Sequence, residues 1–213
     1  MGSNGERGRA LIRLLESAGL TSIPTDRPPS PRRRHLKALA HEIDLLYEQL
    51  GGVQLKPRLA PRSWDACLGG IVVELDEEQH FNRFRGVTLA PAWAAALPWQ
   101  GAYRTYCDAF EDVCMKAASH QKFWTNPSSE IQFGKSGPRE TGLGHPVGPA
   151  RWRQRALYDA MRDAYAVALG TRLARLSVHD VVDGNSLGDV LQGRATCSAN
   201  SLRELVVLRT LHG

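Results

Sequence analysis

A mixed α/β layer, with one central sheet flanked by helices and interrupted by a long helical and loop insertion, is the fold class this sequence predicts. Three observations lead there. Apolar residues recur at helical spacing near both ends of the chain, and from residue 53 the pattern turns into short apolar runs bounded by turn residues. The segment from about 86 to 150 carries mixed signals and a tail rich in Gly, Pro and Ser, which marks the insertion.

Residues 5 to 18 form an amphipathic helix through Leu11, Leu14, Leu15 and Ala18, closed by Gly19. Pro24, Pro28, Pro29 and Pro31 then favour extended chain, so residues 1 to 31 read as a helical arm with a linker and 32 to 213 as the main domain. Arg32, Arg33 and Arg34 open a second helix, carried by Leu36, Leu39, Ile43, Leu46 and Leu50 and ended by Gly51 and Gly52. Residues 53 to 59, 63 to 68 and 71 to 76 predict a strand meander with Gly69 and Gly70 as a tight connection. Within the insertion, Tyr103, Tyr106, Cys107, Phe110 and Cys114 mark a helix from 101 to 118, and its tail, 119 to 149, is a candidate lid. Residues 151 to 169 form the clearest helix, expected to lie on the sheet through Leu157, Met161 and Ala164; 172 to 178 alternates as a fourth strand, and a last helix covers about 200 to 211.

Charge is unevenly placed. Of the formal +5, residues 1 to 40 hold eight Lys/Arg against three Asp/Glu, and the remainder is balanced. A basic arm of this kind is the footprint of a polyanion binder, which makes Arg32, Arg33 and Arg34 candidate nucleic-acid contacts. No apolar run reaches the roughly 18 residues needed to cross a bilayer, and no secretory signal opens the chain, so a cytoplasmic protein without membrane contact is expected. Cys67, Cys107, Cys114 and Cys197 form no C-x-x-C pair and read as free, mostly buried thiols rather than zinc ligands.

The stretch from Asp65 to His80 holds the candidate chemistry. Alternation along 71 to 76 puts Glu74 and Asp76 on one face, with Val73 and Leu75 on the other, and a hairpin through Gly69 and Gly70 brings Asp65 laterally against Glu74. Crowded carboxylates raise each other's proton affinity unless a cation compensates them, so the cluster suits a hard divalent ion, magnesium above all. Two other patterns fail: His41-Glu42 lacks the histidine of a zinc-protease helix because position 45 is Leu45, and Gly134-Lys135-Ser136 lacks a phosphate-loop glycine because position 129 is Ser129.

Asp65, a short hairpin, an apolar strand and Glu74-x-Asp76-x-x-Gln79-His80 together resemble the core of the PD-(D/E)XK nucleases, in particular very-short-patch-repair endonuclease-like bacterial proteins. Asp159-x-x-Arg162, followed by Gly170 and a strand carrying Arg175, resembles that family's closing helix and strand. The resemblance implies a restriction-endonuclease-like core and a magnesium-dependent endonuclease, with manganese as the other candidate ion and DNA favoured over RNA. Asp65 and Glu74 are then the metal carboxylates, Asp76, Gln79 and His80 surround the scissile phosphate, and Glu42 is a further ligand or water-orienting group. Two departures stand out: Glu77 replaces the family's glycine, and Asp76 stands where many nucleases have lysine, leaving His80 as the candidate base. On the late helix Arg155, Asp159 and Arg162 share a face, so Arg155 and Arg162 are candidate phosphate contacts. The rival reading is an inactive nuclease fold that serves as a nucleic-acid-binding or assembly subunit. A homodimer is left open.

Overall fold

Gly69 and Gly70 take φ of +57° and +71°, the backbone that a two-residue hairpin turn requires and that glycine adopts without a Cβ penalty. Around this turn β1 (Ala66–Leu68) pairs antiparallel with β2 (Ile71–Asp76), matching Ala66 to Val73 and Leu68 to Ile71. Strand β3 (Leu173–Ser177) runs parallel to β2, with Glu74 opposite Arg175 and Asp76 opposite Ser177. The sheet is therefore mixed and three-stranded, in the order β1-β2-β3. The computed structural model describes residues 5–21, 27–117, 124–135 and 148–212.

The chain divides into two compact units. The first comprises Met1–Ser30, Arg62–Glu77 and Leu169–Gly213 and holds the sheet. Its core joins Ala66, Leu68, Ile71, Val73, Leu75, Ala174 and Leu176 to Leu11 and Leu15 of helix α1 (Glu6–Ser17). A two-stranded hairpin, β4 (Val181–Val182) with β5 (Asn185–Ser186), leads into α7 (Leu187–Leu191), and α8 (Ala199–Leu208) follows; Leu187, Val190, Leu202 and Val206 complete the same core. One face of the sheet is thus apolar and covered by helices. The alternation of the strands sends Cys67, Val72, Glu74, Asp76, Leu173, Arg175 and Ser177 to the opposite face.

The second unit comprises Pro31–Pro61 and Glu78–Ala168. It contains α2 (Ala40–Gln49), α3 (Arg83–Thr88), α4 (Gln100–Ala117), α5 (Pro127–Phe133) and most of α6 (Ala150–Leu169). Trp99, Trp152, Tyr103, Phe81 and Phe84 are buried in it. Asn82 caps α3 by accepting from the Phe84 and Arg85 amides, and Arg85 meets Asp163 at 2.8 Å with both side chains fully buried. Burial pushes the Cys107 thiol up to about 12 and that of Cys114 to about 11; all four cysteines are free and only Cys197 is partly exposed, as the sequence suggested.

The α/β class is thus the observed one, with eight α-helices among the described residues, and none of these helices is long and apolar enough to cross a membrane. Two expectations need correction. The strand expected at 53 to 59 is absent: Val53 N–H donates to the Gln132 carbonyl, Gln54 N–H to Tyr47 Oη, and Pro57 has no N–H to offer a ladder. Arg32 to Arg34 do not open α2, because two 3-10 turns and Lys37 at φ +53° precede its first residue, Ala40. The expected loop from 119 to 149 lies largely outside the described residues, and α5 occupies part of the rest.

The end of α2 is a double-bonded C-cap: Gly51 N–H donates to the Glu48 carbonyl and Gly52 N–H to that of Tyr47. A Cβ on Gly52 would stand 2.3 Å from the ring of Tyr47, and that ring is fixed by Oη, which donates to the Gln132 carbonyl at 2.7 Å. Gly52→Ala should therefore destabilise the protein by about 1 to 3 kcal/mol through overpacking. A denaturant midpoint equal to the wild type's would contradict this.

Candidate functional site

In the first unit, the register that pairs Ala66 with Val73 continues one step to set Asp65 opposite Glu74. The two residues bind each other's strand reciprocally. Asp65 N–H donates to Glu74 Oε1 at 2.9 Å, and Leu75 N–H donates to Asp65 Oδ2 at 3.2 Å. Each carboxylate is thereby oriented by a backbone amide of the other's strand where the hairpin opens. Glu74 is only 5 % exposed, whereas Asp65 is half-buried.

Two positions along the same face, Asp76 is buried and receives Nη1 of Arg175 on both oxygens, at 2.9 and 2.7 Å. An arginine in the middle of a buried strand demands a carboxylate, and the neighbouring strand supplies it. The resemblance points to Arg175 but not to its partner, which the burial of an arginine in a strand interior calls for. Further along, Ser177 N–H donates to Asp180 Oδ2 and Arg209 Nη2 to Asp180 Oδ1.

The second unit brings together residues nearly eighty positions apart. Gln79 and His80 lie on the 3-10 turn Glu78–His80, and Arg155, Asp159 and Arg162 project from one face of α6. Asp159 is buried, and its Oδ2 lies 2.8 Å from His80 Nδ1 while Oδ1 lies 3.8 Å from Arg162 Nη1. Arg155 grips Gln79 with two donors, Nη1 to the backbone carbonyl and Nη2 to Oε1, both at 2.9 Å. A carboxylate on Nδ1 fixes the tautomer and orientation of the imidazole. His80 keeps 21 % side-chain exposure, enough for a ligand to reach it.

The other sequence candidates sit elsewhere in the second unit. Glu42 is half-buried in the first turn of α2, and Arg32, Arg33 and Arg34 line a cleft with α2 and residues 52 to 59, where Arg33 is bound to Asp44. Gly184-Asn185-Ser186-Leu187-Gly188 has the spacing of a serine nucleophile elbow, but Ser186 takes φ −66° as the N-cap of α7. Its Oγ accepts from Asp189 N–H and donates to Asp189 Oδ2, so it is engaged in a cap rather than paired with a base.

The Asp76–Arg175 pair makes a separable prediction. Arg175→Met leaves a buried carboxylate without its guanidinium and should cost about 3 to 5 kcal/mol, whereas Arg175→Met combined with Asp76→Leu should recover most of that. Unfolding curves for the two variants test this; equal losses would contradict a direct pair.

No curated protein and no solved structure matches the chain. A family model does match, over residues 45–193. That span includes Asp65, Glu74, Asp76, Gln79, His80, Arg155, Asp159, Arg162 and Arg175 and leaves out Arg32 to Arg34 and Glu42. The chain belongs to that family, the Family of unknown function (DUF7255).

Proposed function

We propose that this protein is a metal-dependent nuclease of restriction-endonuclease-like type, hydrolysing nucleic-acid phosphodiester bonds with Asp65 and Glu74 as the metal carboxylates. The observation that supports the reading is the reciprocal hydrogen bonding by which each of these carboxylates accepts a backbone amide of the other's strand at the mouth of the β1–β2 hairpin. The donor set fits a hard cation: carboxylate oxygens suit magnesium or manganese and not a thiophilic metal. When bound, such an ion supplies Lewis-acid polarisation of a phosphoryl oxygen and a water of lowered pKa.

The chain's own residues have distinct tasks in this reading. Asp65 and Glu74 hold their carboxylates in register through backbone amides, so the ligands are preorganised. In the second unit, Asp159 orients the imidazole of His80 and Arg155 fixes Gln79. DNA is favoured as substrate by the sequence resemblance. One observation favours a second reading, a nucleic-acid-binding subunit without catalysis: Asp76, which stands where many nucleases have lysine, is already neutralised by Arg175.

Glu74→Gln and Asp65→Asn are the discriminating variants, because each keeps an oxygen to accept its backbone amide while removing the charge. Each should lower magnesium-dependent cleavage by about 100-fold or more, equivalent to about 2.7 kcal/mol in the barrier, with nucleic-acid affinity equal or higher. Normal cleavage by both variants rejects the carboxylate pair as the site. A wild type that binds but does not cleave supports the binding subunit.

A further inference from the structure

The second unit contains a cleft of about 780 Å³ that plays no part in the chemistry above. Arg32, Arg33, Arg34, Lys56 and Arg58 are among the residues that line it. The lining also includes aliphatic side chains that a protein interior would normally take up: Val53 is 62 % exposed, Leu55 fully exposed and Leu45 39 % exposed. The acids in the lining, Asp44 and Glu48, are outnumbered, and Asp44 is held by Arg33 through Nε and Nη2. The cleft lining is therefore rich in cations and in exposed aliphatic side chains.

We infer that this cleft holds a short single-stranded stretch of nucleic acid, with phosphates on Arg32, Arg34, Lys56 and Arg58 and bases against Leu45, Val53 and Leu55. The inference rests on the nucleic-acid reading of the protein but not on its metal site. Three features select this ligand. The volume suits a drug-sized guest, roughly one or two nucleotides, and not a duplex. An extended peptide adding to residues 52 to 59 as a strand finds no ladder, because the Val53 and Gln54 amides are already bonded and Pro57 has none. Polar groups able to read base edges are few, His41 and Gln54 among the lining residues, so the grip should be tolerant of sequence. The exposed apolar lining, Leu45, Val53 and Leu55, is aliphatic and Tyr47 is buried, which removes most of the stacking contribution and makes binding depend on the phosphates.

The test is fluorescence anisotropy on the full chain in chelator, with a labelled 12-nucleotide single strand, the same sequence as duplex, and an acidic leucine-containing peptide. The single strand should bind more tightly than the duplex, with little dependence on base sequence. Lys56→Ala combined with Arg58→Ala should flatten the slope of log affinity against log salt by about 1.4, since each lost contact to a single strand removes about 0.7. Leu55→Asp should weaken binding at least fivefold, while Glu204→Gln, at an exposed position of α8, should bind as the wild type does. All three cleft positions are exposed, and circular dichroism checks that the variants fold. An unchanged salt slope, a preference for duplex, or displacement of the strand by the acidic peptide overturns the inference. If magnesium-dependent cleavage persists alongside any of these, the cleft assignment fails alone; if the chain neither binds nor cleaves nucleic acid, the nuclease reading fails with it.

Discussion

Burying carboxylates on the inner strand of a small sheet is the constraint around which the first unit is arranged. An ion removed from water costs several kcal/mol unless opposite charge or hydrogen bonds replace its hydration. Strand β2 places two such groups, Glu74 and Asp76, on one face. Asp76 is answered by Arg175 from β3, which ties the parallel pairing of those strands to a charge pair. Glu74 is answered by the Asp65 amide from the other neighbour. The central strand is thus held on both sides by polar contacts on one face and by Val73 and Leu75 in the apolar core on the other.

The same constraint explains what could be read in advance. The glycine pair and the two-residue alternation of 71 to 76 are local signals, so the hairpin, its face assignment and the lateral approach of Asp65 to Glu74 were legible. Helix α6 was legible for the same reason, as a long amphipathic segment. The segment 53 to 59 misled because its alternation is real but its backbone groups are spent on Tyr47 and Gln132, partners that no local pattern announces. The start of α2 misled because a run of arginines is a good helix former, whereas Lys37 in a left-handed conformation delays the helix.

The His80–Asp159 pair lies between these cases. Nothing local links a histidine after β2 to an aspartate on α6; the 2.8 Å contact comes from the packing of the second unit. Arg155 and Arg162 are not the exposed ladder their spacing alone suggests, because Asp159 between them is buried and Arg155 is committed to Gln79. The basic stretch Arg32 to Arg34, read as a linear arm, instead lines a cleft together with Lys56 and Arg58, from a segment with no helix or strand.

The central claim is that a divalent cation at Asp65 and Glu74 drives phosphodiester hydrolysis. Its most direct test is incubation of the pure chain with plasmid and single-stranded DNA in magnesium, in manganese and in chelator, followed by electrophoresis. The account predicts cleavage in either metal that stops on chelation and returns when metal is restored. Cleavage that continues in chelator, or none under any of the three conditions while DNA is still bound, would contradict it.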